Sequence, residues 1–128
     1  MTETELKSRT KEFALRVLRM VEALPRGTVS GVLGKQIARS ATSVAANYRA
    51  VCRARSKADF VAKLGLIEEE ADESAFWLEM IAAAKLLPAS KLDALQQEAG
   101  ELTAIFVSSL KTARDGRTNP KSKVANPK

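Results

Sequence analysis

The sequence predicts an all-α fold, an antiparallel up-down-up-down four-helix bundle, and three observations carry that prediction. Apolar residues recur three and four positions apart in four separate stretches, the spacing of a helix with one buried face. Between Leu33 and Arg114 the only proline is Pro88, so long helices can run there uninterrupted. No stretch alternates apolar and polar residues with the period of two that a half-buried strand needs.

A first helix is expected over residues 3–24, with Leu6, Phe13, Val17, Met20, Val21 and Leu24 on one face and Pro25 and Gly27 ending it. The linker PRGTVSG then offers Thr28 and Ser30 as N-caps for a second helix, whose buried face is Leu33, Ile37, Ala41, Val44, Tyr48 and Val51. Ser56-Lys57-Ala58-Asp59 has the spacing of a capping box and opens a third helix. Its face is Phe60, Leu64, Ile67, Ala71, Ser74, Leu78 and Ala82, and it should reach about Leu87, where Pro88 forbids simple continuation. A second apolar edge, Leu66, Trp77, Met80 and Ala84, lies well round the same helix and suits either a wide core sector or an oligomer interface. With Ser90 as N-cap, a fourth helix places Leu92, Leu95, Ala99, Leu102, Phe106 and Ser109 on one face through to about Arg114. Short connections join the four, which favours antiparallel neighbours. The bundle accounts for residues 1–115. The remaining 116–128, GRTNPKSKVANPK, has no acid and too little apolar surface to offset ordering, so a disordered basic tail is expected there.

The chain has 128 residues, 45% of them hydrophobic and 28% charged, enough to form a single core without covalent staples. No segment approaches the roughly 20 apolar residues that span a bilayer. The single cysteine, Cys52, and a polar N-terminal stretch without a leader-like apolar core point to the cytoplasm. Cys52 itself reads as a small core residue, since no second cysteine or histidine could activate it.

Histidine is absent, which removes the usual general base near neutral pH, the Ser-His and Cys-His nucleophile pairs and the commonest metal ligand. The acids Glu68, Glu69, Glu70, Asp72 and Glu73 lack the Glu-x-x-His spacing of a bundle di-iron site. Ser40 with Lys35 is the nearest approach to a nucleophile pair, and nothing sets it apart from packing and surface roles. No enzymatic activity, cofactor, metal or small-molecule substrate is expected.

Charge is sorted along the chain. Residues 25–57 carry seven positive charges and no negative one, whereas residues 58–88 carry two positive and seven negative. At about 100° per residue, Lys35, Arg39, Arg49 and Arg53 fall within a sector of about 80°, opposite Ile37, Val44 and Tyr48. Such a ridge, extended by Lys57, attracts the phosphates of RNA or DNA, because each neutralised phosphate releases counterions. The same arginines could instead pair with the acids of the third helix or simply solvate a helix face. No aromatic residues interleave with the ridge, so contact with the backbone rather than base reading is expected.

The run from Arg39 through Asn47-Tyr48-Arg49-Ala50, followed by Arg55-Ser56 and Asp59-Phe60, resembles the bacterial 23S rRNA intervening-sequence proteins, a four-helix-bundle family. Lys63-Leu64, Glu70-Ala71-Asp72-Glu73, Trp77-Leu78-Glu79 and Leu24-Pro25 are similar to the same family, so the resemblance spans residues 10–114. That family is similar in fold to the accessory protein of diversity-generating retroelements, a basic homopentameric barrel that binds nucleic acid and a reverse transcriptase. The resemblance implies a homopentamer with nucleic-acid affinity, and no established enzymatic activity. The alternative is a structural or adaptor bundle that scaffolds a protein partner, such as a reverse transcriptase, without touching nucleic acid.

Overall fold

In the computed structural model, residues 1–115 are described. They form four helices, α1 (Glu3–Glu22), α2 (Thr28–Val51), α3 (Lys57–Ala83) and α4 (Asp93–Arg114), with a 3-10 turn at Ala89–Lys91 before the last. Each packs mainly on its chain neighbour, and α1 also closes on α4, as short loops between antiparallel helices dictate. The expected tail falls outside the described residues.

The predicted apolar faces are the ones that meet. Leu6, Phe13 and Val17 of α1, Ile37, Val44 and Tyr48 of α2, Leu64, Ile67 and Leu78 of α3 and Leu102 and Phe106 of α4 are all buried in one cluster. The rings of Tyr48 and Phe106 are tilted on each other, with centroids 5.8 Å apart, joining α2 to α4 through the centre. On α3 the buried face ends on Ile81 rather than Ala82, which is half-buried. Of the second edge of α3, Leu66, Met80 and Ala84 are exposed and Trp77 is half-buried, and the exposed Phe76, outside that edge, packs on Trp77.

Helix ends depart from expectation where caps are not written in the usual residues. α1 starts on a reciprocal capping box, Thr2 Oγ1 accepting from Glu5 N–H at 3.1 Å while Glu5 accepts from Thr2 N–H at 3.3 Å. Before α3, Ser56 Oγ accepts from Asp59 N–H at 3.0 Å, but the carboxylate of Asp59 turns to Arg55 N–H rather than to Ser56. It also pairs with Lys63, and these two partners hold its pKa below the ordinary carboxylate range. α2 starts on Gly27, so Thr28 and Ser30 lie inside the helix instead of capping it. Ser90 sits in the 3-10 turn, and α4 starts after Leu92 with no side-chain cap.

α3 stops at Ala83, short of the expected Leu87, because the chain turns before Pro88 can act. Lys85 takes a left-handed conformation, φ 58°, and its N–H bonds Ala82 O while Leu86 N–H bonds Ile81 O. That is a Schellman stop with lysine where glycine is usual. A side chain in this region is costly because Cβ crowds the following carbonyl. Lys85→Gly is therefore expected to raise unfolding free energy by about 1 kcal/mol, read as a higher midpoint in urea with unchanged slope.

Candidate nucleic-acid interface

The basic residues expected to form one ridge are divided among three settings. Arg39 leans across the α2–α3 seam: one guanidinium nitrogen donates to Glu70 Oε2 at 3.0 Å, and another to the carboxylate of Glu73. Glu70 is buried among them. Glu73 also accepts from the indole Nε1–H of Trp77 at 2.9 Å. Beneath this cluster, Ser40 and Ser74 share a hydrogen bond of 2.9 Å, both fully buried. The bonds from Trp77 and Arg39 favour the ionised carboxylate and hold the pKa of Glu73 below its ordinary value of 4.5. In turn, the bond to Glu73 raises that of Arg39.

Arg49 faces the other way, toward α1. It borders a groove of about 470 Å³ between α1 and α2, floored by Ala14, Leu15, Leu18, Ala45 and Ala46 and rimmed by Lys7, Lys11 and Arg49. Lys7 and Lys11 were not among the residues singled out from sequence. The signal that could have found them is the spacing of Lys7, Lys11 and Leu15 four apart on one edge of α1.

Lys35 is exposed near the start of α2, Arg53 lies beyond the C-cap residue Cys52, and Lys57 is the first residue of α3. Among the described residues, Lys11, Lys35, Arg49, Arg53 and Lys57 make no ion pair or side-chain hydrogen bond. By contrast, Arg9 of α1 grips Glu98 and Glu101 of α4 at 2.7 Å each, which raises its pKa.

Ser40, buried on Ser74, is held apart from the exposed Lys35, so that pair supplies no nucleophile with a base. Cys52 is half-buried at the end of α2 beside Tyr48, and burial pushes its thiol pKa up, away from reactivity. Among the described residues no cluster of acids, cysteine or histidine could hold a metal ion, and no helix is long and apolar enough to cross a membrane.

A family model described as 23S rRNA-intervening sequence protein matches residues 2–108. The chain belongs to that family. A solved structure from the S23 ribosomal protein family, a protein of unknown function from Bacteroides thetaiotaomicron, is 31% identical and superposes with a TM-score of 0.80. The alignment covers 88% of this chain and 100% of that one. No curated protein matches the sequence. Within the segments by which the chain resembles the intervening-sequence proteins, Arg39, Ser40, Glu70, Glu73 and Trp77 form, together with Ser74, the polar contacts of one seam. In this chain those segments serve the junction of α2 with α3.

Replacing Arg39 with alanine leaves the buried Glu70 without its cationic partner and is expected to destabilise the fold by about 1–3 kcal/mol, measured by urea unfolding at pH 7. Because folding lowers the pKa of Glu73, its contribution is complete above the unfolded value near 4.5 and is lost as pH falls through the folded value. Stability should therefore fall in acid below about pH 4.5, and Glu73→Gln should flatten that part of the profile.

Proposed function

We propose that the chain is a non-enzymatic, homo-oligomeric, cytoplasmic bundle that binds RNA or DNA through its phosphates without reading bases. The observation that carries this is the set of unpaired cations, Lys35, Arg49, Arg53 and Lys57, on a segment with no acid to neutralise them. Lys11 extends the set from α1, with Lys7, which pairs with Glu3 at 3.7 Å, beside it. Arg39, still half exposed, contributes only its outer face beside Glu73. Arginine suits the task because its guanidinium can donate two parallel bonds to one phosphate.

A protein-scaffolding role is the second reading, favoured by the outward Leu66, Phe76 and Met80 of α3. Self-association uses the same surface, and the resemblance to the retroelement accessory protein suggests a pentamer. A reverse transcriptase is the partner that resemblance would supply.

Nucleic-acid affinity measured by fluorescence anisotropy over a salt series separates the readings. Binding should weaken steeply with salt, and replacing Lys35, Arg49, Arg53 and Lys57 together with alanine should lower the slope by about 1 for each phosphate no longer neutralised. No binding at low salt, or an unchanged slope in the variant, favours the scaffold. Light scattering should give an oligomer that Phe76→Glu disrupts, by placing a charge on the outward apolar surface.

A further inference from the structure

The first turn of α2 builds a second basic recess, apart from the α1–α2 groove. Its volume is about 420 Å³ and it is lined by Leu24, Arg26, Ser30, Gly31, Gly34 and Lys35 among others. α2 begins on Gly27, which has no side chain to cap the helix, and there is no acid in the first turn. Gly31 N–H makes the first intrahelical bond, to Gly27 O at 3.0 Å. The N–H groups of Thr28, Val29 and Ser30 thus have no acceptor among the described residues. Their partial positive charge is what a helix offers to an anion.

Independent of the helix end, Ser30 is only 8% exposed, lines the recess, and has no hydrogen-bond partner for its hydroxyl among the described residues. No fully buried side-chain polar atom goes unpartnered among the described residues, so this hydroxyl is not sealed off from solvent. Arg26 and Lys35 stand at the same recess, and no carboxylate lines it. At the neighbouring end of α1, Ala23 N–H and Leu24 N–H already occupy the carbonyls of Met20 and Val21, which would otherwise repel an anion. Space is available as well: a Cβ built on Gly31 meets nothing within 4 Å.

We propose that this recess is a phosphate-group site, in which the amides of residues 28–30 and the Ser30 hydroxyl donate to the phosphate oxygens while Arg26 and Lys35 neutralise the charge. Three amides, one hydroxyl and two cations match the several acceptor oxygens and the negative charge of a phosphate group. The phosphate can be the terminal group of a nucleic-acid strand or a free small phosphate, and the same donors serve both.

The test titrates the full 15N-labelled chain with inorganic phosphate at constant ionic strength, following its amides by NMR. Saturating shifts are expected at Thr28, Val29 and Ser30, about fivefold weaker in Ser30→Ala for the loss of one hydrogen bond. Gly31→Glu should abolish them by placing a carboxylate in the recess, and an unchanged helical spectrum verifies that this variant folds. A second arm compares oligonucleotides of one sequence bearing a 5′-phosphate or a 5′-hydroxyl. A several-fold preference for the phosphorylated end, lost in Gly31→Glu, assigns the site to a strand terminus. Saturation by inorganic phosphate without an end preference assigns it to a free phosphate. No saturating response at residues 28–30, or a response that survives Gly31→Glu, overturns the proposal. Salt-dependent binding of the 5′-hydroxyl strand should be the same in Ser30→Ala as in the unmodified chain, so the recess and the broader basic surface fail or succeed separately.

Discussion

Helix α2 lies against both α1 and α3, and the distance at which it does so is set by small side chains. Gly34 admits Val21 and Leu24 of α1 so closely that a Cβ in its place would sit 3.3 Å from each. On the other flank Ser40 meets Ser74, hydroxyl to hydroxyl. Close approach brings the polar backbone surfaces of two helices together in a dry setting, where every buried polar group must find a partner. Arg39, reaching from above, supplies the charge that buried Glu70 requires. This spacing determines which cations remain at the surface: those over the seam are consumed by it, and those over the outer face of α2 are left to solvent.

The helices were legible because burial repeats every three or four residues, and that repeat identifies most of the core, although Val21, Leu24 and Ala82 are only half-buried and Ala14, Ile81, Leu110 and Ala113 join it. Their ends were less so. Lys85 adopts a left-handed stop that lysine does not advertise, and Gly27 starts α2 by geometry, leaving Thr28 and Ser30 with the look of caps but not the position. A cap is a backbone conformation first, and sequence shows only the residues that commonly adopt it.

The candidate interface was legible as composition and only partly as geometry. A helical wheel treats α2 alone, so it places Lys35, Arg39, Arg49 and Arg53 together. In the bundle Arg39 belongs to α3, Arg49 to the groove with α1, and Arg53 to the following turn. Which charges stay unpaired depends on what the neighbouring helix presents, and Glu70 and Glu73 could be matched to Arg39 only once the register of α3 was known. Lys7 and Lys11 were hidden for the same reason, since nothing in α1 says that its edge borders α2 beside Arg49.

Trp77 is the only tryptophan in the chain, and its indole N–H is bonded to the carboxylate that also receives Arg39. Indole emission responds to the charge and hydration around the ring, so the polar junction of α2 and α3 carries its own optical reporter. Separation of the two helices would strip the indole of its acceptor and bring water to the ring. Loosening of this one seam could thus be followed by intrinsic fluorescence, apart from unfolding of the whole bundle, without attaching a label.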